Sequence, residues 1–199
     1  MSPRFVTVTA ENRFDMLVED EIDMLCGATS MTLARRSVVD FSIPIYIDGA
    51  SVLMRRDGET DFAGLAGRTI GVRANTTTAA ALDTTLAQTG MEAEVVEVDN
   101  HSDGLEGVLD GRLAAYFADQ SILFGLLFGS DRQDELAVAG NTLTDEPQAI
   151  GLPRGDTDFR LAVDTAISRL YRSGAVQRMF EDNFAPAEMG QAMRAMLLL

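Results

Sequence analysis

The sequence predicts an α/β protein of two lobes, one inserted into the other. Three observations lead there. From Asp61 to Ala139 short apolar strands alternate with helical segments of about 10–15 residues, the pattern of parallel strands joined by helices. This compact stretch, residues 57–146, lies between two extended segments, Gly49–Arg56 and Gln148–Arg154. The flanks, 1–48 and 155–199, hold few strands and much amphipathic helix, so neither is self-contained. Together the flanks make a second lobe, joined to the inserted one by two crossing strands.

The elements follow in order. Val6–Thr9 alternates weakly and reads as a short strand. Asn12 is placed to cap a helix whose Phe14, Leu17 and Val18 keep i, i+3, i+4 spacing. After the short apolar run Met24–Gly27, Ser30 or Thr32 caps a turn carrying Arg35 and Arg36. Pro44 breaks any helix near Phe41, and Ile45–Arg55 reads as one extended strand around Gly49. Arg68–Arg73 is a strand, and Asn75-Thr76-Thr77-Thr78 opens a helix through Ala87 that Gly90 stops. Glu94–Val98 is a strand. Ser102 or Asp103 caps a helix ending at Gly111. Leu113–Ala118 is a strand, Asp119 opens a helix to Phe128, and Leu136–Ala139 is a further strand. Gln148–Pro153 is extended. Asp156–Ser173 is an amphipathic helix with Phe159, Val163, Ile167 and Leu170 on one stripe. A second helix spans Ala175–Phe184, and Pro186–Leu199 is helical in pattern with proline in its first turn.

The 199 residues, 46% of them hydrophobic, can bury a sizeable core, which excludes a disordered chain. The apolar runs Ser121–Phe128 and Met196–Leu199 fall far below the roughly 18 residues that cross a bilayer, so the chain reads as soluble. A net charge of −15 argues against nucleic acid and anionic lipid as partners, and an acidic, solubilising surface explains it without any partner. The single cysteine, Cys26, rules out an internal disulfide framework and reads as a small buried residue on a strand. The opening MSPRFVTVTAENRF has neither an apolar core nor a small-residue cleavage site, so no secretory signal is read in it.

At Asn12-Arg13-Phe14 and then DMLCGATSMTLARRSVVDFSIPIYIDG, the chain resembles family 3 of the extracytoplasmic solute-binding proteins, receptors for polar and acidic amino acids. Thr32, Arg35, Asp40, Phe41, Ser42, Pro44 and Tyr46 fit the family pattern in order and spacing. The likeness continues through GLAGRTIGVRANTTT, YFADQSILFGLL, DEPQAIGLPRGD and AISRLYRSGAVQRMFEDNF, nearly the whole chain. It implies a periplasmic-binding-protein-like type II fold, with lobe 1 formed by 1–53 and 149–199 and lobe 2 by 54–148. The family's opening βαβ portion has no counterpart here, so lobe 1 is expected to be incomplete and the chain N-terminally truncated. The resemblance also implies a periplasmic location, a free amino acid as ligand and an ABC permease in the inner membrane as partner.

A free amino acid carries a carboxylate and an ammonium on one carbon, and holding it takes a bidentate cation, hydrogen-bond donors and an anion. Arg35 resembles the family arginine that clamps the α-carboxylate; its other reading is a surface arginine beside Arg36, the bland member of the pair. Ser30 would bind through its hydroxyl or backbone, or merely cap a loop. Thr32 is a ligand contact or a helix cap. Thr77 resembles the lobe 2 threonine that meets the carboxylate at a helix N-terminus, where N–H groups and the dipole favour an anion. Asn75 stands where the family often has glycine, a mild departure because Asn tolerates left-handed backbone. Asp119 resembles the lobe 2 aspartate that pairs with the ammonium; its other reading is an N-cap. Arg73 would favour an acidic ligand side chain. His101, the sole histidine, reads as a surface residue before a helix.

No catalytic constellation, metal-ligand cluster or nucleotide loop is legible, and no cofactor is implied. The resemblance implies the substrate-binding component of an amino-acid importer, working by two-lobe closure with Arg35 and Ser30 from one lobe and Thr77 and Asp119 from the other. The alternatives are a truncated, non-binding remnant or a ligand-sensing module of the same fold, and a dehydratase-like enzyme. Exposed lobe 1 strand edges offer a route to a dimer.

Overall fold

The computed structural model describes residues 2–58 and 61–198. In chain order the elements are α1 (Arg13–Val18), α2 (Leu33–Arg36), β1 (Asp40–Asp48), β2 (Ala50–Arg55), β3 (Thr69–Arg73), α3 (Thr77–Thr89), β4 (Glu94–Val98) and α4 (His101–Leu109). There follow β5 (Ala115–Asp119), α5 (Gln120–Gly129), β6 (Leu136–Val138), β7 (Glu146–Leu152), α6 (Thr157–Arg172), α7 (Ala175–Phe184) and α8 (Gln191–Met196). None of the described helices is long and apolar enough to cross a membrane. The chain divides into two units, the first running to Ile47 and resuming at Glu146, the second spanning Asp48–Asp145. A division at 53/54 and 148/149 would have cut through β2 and β7, whose pairing holds each strand to a single unit.

In the first unit β1 and β7 form a two-stranded sheet. The loop before α2 lies along β7 through the isolated bridges Leu25↔Gly151 and Ser30↔Gln148. Leu17, Leu25, Val39, Phe41 and Ala149 make the core, with Val8, Phe14, Ile22 and Met31 packed against it. Val6–Thr9 is not a strand: weak alternation alone does not make one without a ladder partner, and the sheet of this unit, among the described residues, contains β1 and β7. Asn12 does precede α1 but makes no side-chain cap; its Oδ1 accepts the Thr9 N–H at 2.7 Å instead. Cys26 is exposed rather than buried, because Leu25 takes the inward position and the next residue of extended chain points out. Asp156 caps α6 by accepting the Phe159 N–H at 2.9 Å, and Ile167 is the buried residue of its stripe. The last helix runs only from Gln191 to Met196, beyond a turn at Ala185 and Pro186; Leu199, its expected end, lies outside the described residues.

The second unit is a five-stranded sheet in the order β4-β3-β5-β2-β6. β3 pairs in parallel with β4 and β5, as strand–helix alternation predicts. β2 runs antiparallel to β5 and β6. It precedes the first helical crossover, so the parallel rule does not bind it. Side chains of β5 alternate between two cores. Ala115 and Phe117 join Val52, Ile70, Val72 and Leu82, while Tyr116 and Ala118 join Leu53, Val108, Leu123 and Leu136.

The extended segment expected as one strand, Ile45–Arg55, is two strands broken at Gly49. The break is built by Asp48, whose Oδ1 accepts the Gly49 N–H at 2.9 Å and the Ser121 N–H at 3.2 Å, while Oδ2 accepts the Ser121 hydroxyl at 2.5 Å. A Cβ on Gly49 would collide with the Thr144 carbonyl oxygen and approach Thr142 Cβ to 2.6 Å. Only glycine fits where the segments 48–50 and 142–144 pass each other. Gly49→Ala is therefore expected to destabilise the protein by about 1–3 kcal/mol, read as a lower midpoint in urea unfolding; an unchanged midpoint would show that the segments separate easily.

Candidate functional site

Each unit gathers part of the set of residues singled out from the sequence. In the first, Thr32 ends the extended chain and caps α2, its Oγ1 accepting the Arg35 N–H at 3.1 Å. That cap sets Arg35 on the short helix, where its Nη1 donates to the Ser30 carbonyl at 2.7 Å and its guanidinium sits 5.4 Å from the Phe14 ring centroid. Arg36, by contrast, is exposed. Ser30 is buried and its hydroxyl donates to Glu146 Oε2 at 2.6 Å. A buried carboxylate needs such a donor, and the short O–H···O⁻ geometry is charge-assisted. Arg35, Ser30 and Thr32 are thus brought together, with Thr32 acting as a cap. Glu146 escaped the sequence reading: an acid at the start of a strand has no periodic signal, and only its pairing across 116 positions reveals it.

The second group lies at the C-terminal ends of the parallel strands, the end at which open α/β sheets commonly bind ligands. Asn75 adopts a left-handed conformation, φ 59°, and turns the chain from β3 into α3. Thr76 is the N-cap: its Oγ1 accepts the Ala79 N–H at 3.0 Å and donates to the Arg73 carbonyl at 2.8 Å. Thr77 is the first helical residue, at the positive end of the dipole. Thr78, not singled out from the sequence, is buried and donates its hydroxyl to Asp119 Oδ1 at 2.7 Å. Asp119 stands at the end of β5 with 6% of its surface exposed, and its side chain does not cap α5. Asp48 does that instead, through Ser121. The capping reading of Asp119 therefore falls to Asp48.

His101 is not the surface residue expected. It is the first residue of α4, half-buried, with Nδ1 2.7 Å from the Tyr116 hydroxyl. Burial, followed by the positive charge of Arg73, lowers its pKa, and burial pushes the Tyr116 hydroxyl well above its ordinary range. The helix comes this close because Gly104 lies on the tyrosine ring: a Cβ there would stand 2.5 Å from Tyr116 Cδ2. Residues 101 and 104 share one helix face, so the glycine is what admits the histidine. Among the described residues no group of three or more His, Cys, Asp or Glu is placed to hold a metal ion.

The model of the bacterial extracellular solute-binding proteins, family 3, matches residues 1–186. The chain belongs to this family. Its fold is that of the family 3 amino-acid-binding proteins, α/β with mixed sheets. It is 27% identical over 182 residues to the L-glutamate/L-aspartate-binding protein of Pseudomonas aeruginosa, a match covering 91% of this chain and 60% of that relative. The chain spans about 60% of the length of the curated glutamate/aspartate-binding relatives it matches. Among solved structures, a periplasmic binding protein of an ABC transporter from Brucella ovis with glutathione bound gives a TM-score of 0.80 at 24% identity, covering 98% of this chain and 67% of that one. The ancestral amino acid-binding protein AncCDT-1, a precursor of cyclohexadienyl dehydratase, gives 0.76 at 21% identity, covering 91% and 76%. At these identities the structural likeness establishes family 3 architecture and leaves the ligand to the residues.

Thr78 tests how the second group is held. Thr78→Val keeps the shape and removes the donor to Asp119, so the buried carboxylate loses a partner at a cost of about 1–3 kcal/mol. Urea unfolding should show that loss; a variant as stable as the parent would mean Asp119 is held in place by other groups.

Proposed function

We propose that the chain is the substrate-binding component of an amino-acid ABC importer, working in the periplasm with a permease of the inner membrane as its partner. Its ligand is a polar or acidic L-amino acid. One observation carries the reading: the two half-sites have complementary charge, a guanidinium fixed by a capped turn on one unit and a nearly buried carboxylate beside a helix N-terminus on the other. An α-amino acid needs that pair. Arg35 takes the α-carboxylate with Ser30 beside it, Thr77 adds the α3 N-terminus, and Asp119 takes the ammonium. Thr32 contributes by holding Arg35.

The role is binding and not catalysis. The reading is supported by the curated relatives, which are named as glutamate/aspartate-, glutamine- and cystine-binding proteins.

A thermal-shift screen of the 199-residue chain against the L-amino acids tests this. A ligand at 100 times its Kd stabilises by about 2.7 kcal/mol, so one or a few acidic or polar amino acids should raise Tm by several degrees. Arg35→Ala should abolish that rise. A cooperative melt that no amino acid moves, or an Arg35→Ala variant of unchanged affinity, would contradict the assignment.

A further inference from the structure

β4 is an edge strand: among the described residues its one ladder neighbour is β3. The Glu94 N–H donates to the Arg68 carbonyl at 2.9 Å, and the Glu92 carbonyl accepts the Gly67 N–H at 2.7 Å. Even-numbered residues therefore turn their backbone groups towards β3. By alternation Val95 and Glu97 turn theirs to the open edge, as a row of donors and acceptors for another strand. Glu94, Val95, Val96 and Glu97 are all exposed, and the two valines show 38% and 37% of their surface on opposite faces of the sheet.

The first unit holds a segment with the complementary need. Arg4-Phe5-Val6-Thr7 has strand composition, yet it is neither helix nor strand here, and all four residues are exposed, Phe5 by 90%. Laid antiparallel to β4 with Val6 opposite Val95, it matches at every position. Arg4 then stands opposite Glu97, Phe5 opposite Val96 and Thr7 opposite Glu94. Among the described residues neither Arg4 nor Glu97 makes an ion pair. Arg4 and Val6 exchange backbone bonds with Glu97 and Val95, while Phe5 and Val96 form a non-hydrogen-bonded pair, the kind whose side chains lie closer. Pro3 falls opposite Val98 with its ring nitrogen turned away from β4, so its missing N–H costs no ladder bond. A slip of one residue either way sets Arg4 against a valine, Val96 or Val98, and loses the charge match.

We propose that segment 4–7 of one copy of this chain adds as a sixth strand beside β4 of a second copy. Segment and edge occur on the same molecule, one in each unit, so every copy brings both halves of the contact. A net charge of −15 on each copy opposes association, but physiological salt screens charges beyond about 8 Å, and Arg4 and Glu97 meet inside that distance.

Sedimentation equilibrium of the 199-residue chain at physiological salt reads the association directly. The apparent mass should rise above that of a single copy as concentration goes from micromolar to millimolar. Arg4→Glu and Glu97→Arg each set like charges opposite one another, and each should weaken self-association about tenfold. Mixed in equal amounts, the two variants should associate as the parent does, because every segment then meets an edge of opposite charge. Val6→Pro removes a backbone donor to the edge and should leave the chain a single copy. A parent that stays a single copy throughout overturns the proposal. So do charge variants that associate as tightly as the parent, or a mixture that associates no better than either variant alone. All three substitutions fall at exposed positions, so circular dichroism should match the parent; if Val6→Pro fails to fold, the charge variants decide alone.

Discussion

The pairing of Ala50–Met54 against Ala115–Asp119 is the constraint on which the second unit depends. Its register sets Ala50 opposite Asp119, Val52 opposite Phe117 and Leu53 opposite Tyr116. With period-two alternation, a shift of one residue would send Tyr116 to the face of α3 and Phe117 to the face of α4. It would separate Asp119 from Thr78 and Tyr116 from His101 in one step. The register is locked at its end by Gly49, whose carbonyl accepts the Gln120 N–H at 2.9 Å while Asp48 binds the first turn of α5. A steric requirement at one glycine thus reaches the carboxylate that ends the adjacent strand, directly across from Ala50.

Division of labour among neighbouring polar residues recurs in both units. Thr32 caps the turn and Arg35 is presented by it; Thr76 caps α3 while Thr77 stands at the helix end and Thr78 turns to Asp119; Asp48 caps α5 while Asp119 is held by Thr78. In each case a neighbour of the residue proposed to bind ligand satisfies the backbone. Helix ends must find partners for their N–H groups in any event. Supplying them from a neighbour leaves that residue's geometry set by a different bond.

Much of this was legible in the sequence where a local rule decides the outcome. The run from β3 to α5 follows from strand–helix alternation, and Gly90 stops α3 in the left-handed conformation expected of a C-terminal glycine. Local rules fail where the decision is made elsewhere in the chain. Val6–Thr9 has strand composition but no ladder. Asn100, not Ser102 or Asp103, caps α4, its Oδ1 taking the Asp103 N–H at 3.0 Å, because the helix starts early enough to place His101 on Tyr116. The contacts Ser30–Glu146 and Thr78–Asp119 join residues 116 and 41 positions apart, which no periodicity encodes. His101 looked like a surface residue because the small volume that buries it belongs to Gly104.

The proposed function requires Ser30, Arg35, Thr77 and Asp119 to bind one and the same amino acid. An isotope-labelled sample titrated with L-glutamate, following backbone amide signals, tests it directly. Signals of Ser30 and Arg35 should move together with those of Thr77 and Asp119, saturating at the same ligand concentration. Movement confined to one unit, or half-sites that saturate at different concentrations, would contradict the account.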